Sequence, residues 1–156
     1  LAFGFNGYER MFTGGGEPTL RTRPAGVLSN EVLCDLQSVA EWVLRSLPAS
    51  DRRLKRWLAI AQFTSVPPGR IRGWHFDPHV EDNDAVATLT LQGSGRVHVG
   101  VKEDATQQCE FWQHPGSCYS ILRGALLEDK HQVQAGSVGR FSLTLRFKVK
   151  RYHDLN

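Results

Sequence analysis

The sequence has little cysteine. Its three cysteines, Cys34, Cys109 and Cys118, make no C-x-x-C pair and leave one thiol over. That argues against a complete disulfide framework and for a reducing, intracellular setting. Long apolar runs are also missing. Nothing approaches the ~20 residues of a membrane span, and no signal-type apolar core is present. Nor is charge of one sign in excess, since 19 Lys and Arg against 16 Asp and Glu leave a net charge of +3. So mild a basic balance does not by itself argue for nucleic acid. With 40% hydrophobic and 22% charged residues, wholesale disorder and fibrous repeats are excluded. At 156 residues the chain is expected to be one domain, 1–156, burying roughly two thirds of its unfolded surface.

What is present is a change of period along the chain. Residues 1–28 are broken by Gly14-Gly15-Gly16 and by prolines, and read as strand pieces and loops near Phe3, Phe5 and Tyr8, lying over the fold. From Ser29 to Leu47 apolar residues recur at helical spacing through Val32, Leu36, Val39, Val43 and Leu47. Ser29 or Asn30 can cap the start and Pro48 lies past the end, which predicts an amphipathic helix over 29–47 packed on a sheet. Asp51 to Arg56 is a basic cluster, either a solvated turn or a phosphate contact.

After it the period becomes that of strands. These are predicted at Trp57–Ser65, Arg70–Asp77, Ala85–Gln92, Arg96–Lys102, Cys109–Gln113, Cys118–Arg123 and Arg140–Phe147. Pro67-Pro68-Gly69 and His114–Ser117 read as turns, and Gly93-Ser94-Gly95 as a hairpin connection. Seven or eight short strands after one helix favour a mainly β fold with one or two packed helices. The architecture expected is a double-stranded β-helix, or jelly roll, with its core over 57–150.

Two stretches carry chemistry. In Gly73-Trp74-His75-Phe76-Asp77-Pro78-His79, extended backbone puts His75 and Asp77 on one side, about 7 Å apart, which is chelating distance. A second histidine from far along the chain would complete two histidines and one carboxylate, the set that suits non-haem iron(II). Alone, His75 is as readily a satisfied core or surface histidine. In the closing strand, alternation sets Arg140, Ser142, Thr144 and Arg146 on one face and Phe141, Leu143, Leu145 and Phe147 on the other. One face packs into a core while the other lines something polar. Six residues of strand span about 20 Å, too far for both arginine forks to hold one carboxylate.

Together these residues resemble a family. His75-x-Asp77, the later His131 and Arg140-x-Ser142-x-Thr144-x-Arg146 resemble the AlkB-like branch of iron(II)- and 2-oxoglutarate-dependent dioxygenases, whose last motif reads R-x-N-x-T-x-R. The likeness is greatest to the group whose human homologue is joined to a transfer-RNA methyltransferase. It covers most of the chain, with Pro68-Gly69 ahead of the metal pair and Glu81-Asp82 and the strand Val86–Leu91 after it. Phe3-Gly4-Phe5 looks like the tail end of the family's substrate-covering lid, so 1–28 is expected to be a lid remnant.

The resemblance implies iron(II) held by His75, Asp77 and His131. His79 competes for the role, but Pro78 distorts the run, and relatives with this His-x-Asp-x-His spacing leave the last histidine unused. Arg140 is expected to grip the far carboxylate of 2-oxoglutarate and Arg146 to sit near its metal end, with Ser142 and Thr144 lining the pocket between. Trp74 and Phe76 border the substrate opening or pack in the core. Arg52 and Arg53 are expected to touch substrate, with Arg21 to Arg23 and Lys148 to Arg151 as further phosphate contacts.

The reaction implied is oxidative decarboxylation of 2-oxoglutarate coupled to hydroxylation or N-demethylation. Its substrate is a protein or a base in RNA or single-stranded DNA, which must be unstacked to react. Ligation needs neutral imidazoles and an ionised Asp77, so iron binding should weaken in acid. Two departures stand out. The family's N-x-Y before the metal pair, whose tyrosine helps bind 2-oxoglutarate, is replaced here by Gln62-Phe63-Thr64-Ser65. Ser142 replaces the motif asparagine and keeps a hydroxyl. The first departure opens a second reading, a catalytically inactive dioxygenase-like scaffold within a larger protein assembly.

Overall fold

The computed structural model describes residues 8–11, 19–22, 30–52, 56–77, 84–101 and 108–149. Most of the expected lid remnant, Arg53, His79 and the basic residues after 149 lie outside them. Strands β1 (Tyr8–Met11) and β2 (Thr19–Thr22) form an antiparallel pair. They are followed by α1 (Asn30–Ser46), α2 (Ala49–Arg52), β3 (Arg56–Val66), β4 (Ile71–His75) and β5 (Ala85–Val101). Then come β6 (Gln108–Gln113), β7 (Cys118–Leu122), α3 (Gly124–Glu128) and β8 (Asp129–Val149). Among the described residues no helix is long and apolar enough to cross a membrane.

The two long strands organise everything else. β5 and β8 run antiparallel to each other from Ala85↔Phe147 to Val101↔Asp129, with register shifts near Gly93. The first part of β5 also pairs with β7 and the later part with β6. The later part of β8 pairs with β3 and its first part with β4. One layer is therefore β3–β8–β5–β7 and the other β4–β8–β5–β6, both built on the same two strands. This is the double-stranded β-helix expected from the pattern of strands.

Gly93-Ser94-Gly95, predicted as a hairpin, is instead the bend where β5 passes between layers. β8 pairs in the same direction with residues on either side of it, so the chain cannot reverse there. The bend requires glycine. Gly93 has φ +72° and faces Gly139, at φ +80°, so closely that a Cβ on Gly93 would stand 2.0 Å from the Gly139 carbonyl oxygen.

Helix α1 lies on the outer face of the first layer, where Leu36, Ala40 and Val43 pack against Leu58, Leu143, Leu145 and Phe147. Phe141, expected on this face, sits beside the bend, 38% exposed, and stacks on Phe63 at 5.7 Å. The inner face of the same strands is buried and polar, carrying Gln62, Thr64, Thr88, Thr90, Ser142 and Thr144. Buried polar side chains on three adjacent strands of one face mark a site, since apolar residues would otherwise fill it.

Of the basic cluster before β3, Arg53 and Lys55 lie outside the described residues, and Arg56 departs from expectation. Arg56 opens β3, and its side chain is 1% exposed and ion-paired to Asp51 and Asp84. Arg123 joins the same group through Asp51 at 3.2 Å. Arg56 thus ties α2 to the sheet and presents nothing to phosphate, while Arg52 is exposed on α2.

Candidate metal and dicarboxylate site

The pairing of β4 with β8 sets His75 directly opposite His131, with ring centroids 4.3 Å apart. The register slips between Arg72 and His75, and just past the end of β4 Asp77 is 7% exposed. One Asp77 oxygen, Oδ2, lies 3.9 Å from His131 Nε2. The other, Oδ1, accepts a hydrogen bond from Arg146 Nη2 at 2.8 Å. Among the described residues no three His, Cys, Asp or Glu side chains are gathered into a ready-made metal cluster. The three converge in pairs, with Arg146 holding one side of the carboxylate.

The donor chemistry fits a cation. His75 Nδ1–H donates to the Gly73 carbonyl at 2.7 Å, which leaves the lone pair on Nε2. That nitrogen is buried and has no hydrogen-bond partner among the described residues. A buried acceptor left unpaired is costly, and a metal ion would relieve it. Burial first, then the Arg72 guanidinium and His131, hold the His75 imidazole down to about 3. Burial also lowers His131, against the pull of Asp77. Both rings are therefore neutral at neutral pH, the form that ligates metal.

This has a consequence for stability in acid. In the unfolded chain each histidine takes up a proton near pH ~6.5, whereas the folded chain resists it. The stability tied to the neutral rings is complete above about pH 6.5 and is lost as the pH falls toward the folded values. The denaturant midpoint of the metal-free protein should fall between about pH 7 and about pH 5. His75→Gln should flatten that slope, and equal slopes for both proteins would contradict the assignment.

The two arginines of the closing strand take separate places. Arg140 is 4% exposed, donates from Nε to Thr90 Oγ1 and from Nη1 to Ser142 Oγ, each at 3.1 Å, and keeps Nη2 buried without a partner among the described residues. Burial lowers its pKa. Arg146, 2% exposed, donates to Gln62 Oε1 at 2.9 Å and to Asp77. Thr88 and Thr144 join their hydroxyls at 3.1 Å, while Thr64 Oγ1 has no partner among the described residues. An unpaired guanidinium nitrogen and the free Thr64 hydroxyl in one cavity suit a carboxylate.

The cavity between the layers is lined by Thr64, Arg72, Asp77, Tyr119, His131 and Arg140, among others. As the side chains stand it admits about one water molecule. A dicarboxylate requires the Arg140 guanidinium to turn from Thr90 and Ser142 toward the ligand.

Most of the residues expected at the site are brought together, and several are not. Trp74 is 40% exposed with its ring 6.4 Å from His98, and Phe76 has Lys130 Nζ 5.3 Å from its ring centroid. Neither lines the cavity, nor does Arg52. His98 is half-buried and meets Glu110 at 3.3 Å. The sequence marks Gln62 to Ser65 only as a departure from the family's N-x-Y, without a role for Gln62 or Thr64, and does not point to Arg72 or Tyr119 as site residues. For Gln62 and Thr64 the alternation with Ala61 and Phe63 was a usable signal. For Arg72 and Tyr119 only the long-range pairing reveals the face.

No protein-family model matches the sequence, and no curated protein matches it. Among solved structures, an oxidoreductase of the 2OG-Fe(II) oxygenase family from Burkholderia pseudomallei superposes with a TM-score of 0.60 at 15% identity, over 90% of this chain and 65% of that one. The fold is a jelly roll. At lower TM-scores stand the Drosophila melanogaster CENP-C cupin domain, at 0.45 and 12% identity over 76% of this chain and 99% of that one, and a single-residue variant of the Bacillus subtilis oxalate decarboxylase, at 0.42 and 20% identity over 58% and 21%. This jelly-roll chain spans just under two thirds of the oxygenase-family protein and about a fifth of the decarboxylase. At 15% identity the superposition on the oxygenase-family protein shows the fold alone, and the chemistry must come from the residues of the site.

Proposed function

We propose that this chain is an iron(II)- and 2-oxoglutarate-dependent oxygenase of AlkB type, and that its substrate is an alkylated base in RNA or single-stranded DNA. The observation that carries this reading is the cross-strand pair His75–His131, with an orphaned His75 Nε2 and the Asp77 carboxylate beside it. In it, His75, Asp77 and His131 hold the metal. Arg140 takes the far carboxylate of the cosubstrate, and Ser142 and Thr144 line the space between. Iron(II) and 2-oxoglutarate, when bound, supply the oxidative decarboxylation that drives oxidation of a substrate C–H bond.

The chain's own residues prepare that chemistry. The Gly73 carbonyl fixes the His75 tautomer and so aims its free nitrogen inward. Arg146 holds the Asp77 carboxylate in one orientation and balances its charge. The surrounding walls are buried, which keeps bulk water from the reacting groups. We place the protein inside the cell, where the exposed Cys34 and Cys109 stay reduced.

A second reading, an inactive scaffold within a protein assembly, draws support from the Arg146–Asp77 ion pair and the small cavity. Succinate release from 2-oxoglutarate with added iron(II) separates the two. The wild type should release succinate, and His131→Ala should lower the rate by more than about 100-fold. Equal rates in both proteins would favour the scaffold.

A further inference from the structure

We infer that Tyr119, on β7, supplies the phenol that holds the far carboxylate of 2-oxoglutarate beside Arg140, in place of the tyrosine that the N-x-Y position lacks. The inference rests on the oxygenase reading and adds a residue to it.

The vacant role is visible on β3. Its inward-facing residues are Gln62, opposite Thr144, and Thr64, opposite Ser142. Gln62 is engaged with Arg146, and the unpaired hydroxyl of Thr64 sits on a side chain too short to replace a phenol's reach. Across the layer, however, one register row runs from Gln62 through Thr144 and Thr88 to Tyr119. Alternation along β7 sends Tyr119 inward while Ser120 is exposed and Cys118 packs against the outer core. Tyr119 thus lines the same cavity as Arg140 and Thr64, entering from the opposite edge.

Its ring is held for the task. Tyr119 meets Phe111 edge to face at 5.4 Å and packs against Val86, Ile121 and Leu126. The Tyr119 side chain is half-buried, with its phenol within hydrogen-bond reach of Thr88, whose hydroxyl also meets Thr144. Burial raises the phenol's pKa, with the nearby Arg140 guanidinium pulling it back down. Thr88 can donate to the phenol while accepting from Thr144, and in that arrangement the Tyr119 O–H is left to donate to a carboxylate held beside the Arg140 guanidinium.

Titration calorimetry with manganese(II) in place of iron tests this without turnover. The probes are N-oxalylglycine, which carries the distal carboxylate, and oxalate, which lacks it. Tyr119→Phe should weaken N-oxalylglycine about tenfold or more, the worth of a hydrogen bond to a charged group, and leave oxalate and manganese(II) unchanged. Unchanged N-oxalylglycine affinity overturns the role of Tyr119 alone. Equal weakening of both probes does so too, because it makes the ring a packing residue. Failure of the wild type to bind N-oxalylglycine, with manganese(II) and oxalate still bound, overturns the cosubstrate reading and this inference with it.

Discussion

Asp77→Ala is expected to cost about 3–5 kcal/mol of folding stability and to abolish metal binding. The reason is burial on both sides of one ion pair. The side chains of Arg146 and Asp77 are 2% and 6% exposed and meet at 2.8 Å, so solvent does not screen the pair. Truncating the carboxylate leaves a guanidinium in the interior that keeps its bond to Gln62 but has Nε already unpaired. Denaturant unfolding of the metal-free protein measures the loss. A double variant, Asp77→Leu with Arg146→Met, should recover most of the stability, because two apolar side chains replace two desolvated charges. It should not recover metal binding. A loss below about 1 kcal/mol for Asp77→Ala would mean that the pair is solvated in solution.

The second large effect comes from a glycine remote from any ligand role. Gly93→Ala should cost about 2–5 kcal/mol, the sum of a left-handed backbone and an overpacked contact. A Cβ there would meet the Gly139 carbonyl oxygen at 2.0 Å and the Cα of Arg140 at 3.3 Å, so relief requires β5 and β8 to separate where Arg140 begins. Gly69 provides the control. Its φ is +65°, but a Cβ would meet nothing within 4 Å, so Gly69→Ala carries only the backbone cost of about 1–2 kcal/mol. Thermal or denaturant unfolding of the two variants gives the comparison, and equal losses would remove the packing argument. N-oxalylglycine binding should also weaken in Gly93→Ala and hold in Gly69→Ala, since only the former displaces Arg140.

The bend at Gly93 also explains where sequence reasoning stopped. A run of Gly-Ser-Gly between two alternating segments has the same local signature whether the chain reverses or passes between layers. Hydrogen bonds to β8 make the choice, and those partners lie some forty to fifty residues away by the pairings Gly93↔Arg140 and Gly95↔Ala135. The same holds for Arg56, which reads as one more charge in a basic cluster until Asp84 arrives beside it.

Whatever depends on neighbours along one backbone was legible before the fold was known. The 3.6-residue period placed α1 to within a residue at either end. The period of two placed Arg140, Ser142, Thr144 and Arg146 on one face, where all four are buried around the cavity. Long-range pairing set the rest. Register between β4 and β8 brought His75 opposite His131, and register across β3, β8, β5 and β7 brought Gln62 and Tyr119 into the row of Thr144. A slip of one residue in any of these ladders would turn the side chains to the other face, so the site is specified by pairings that no local pattern contains.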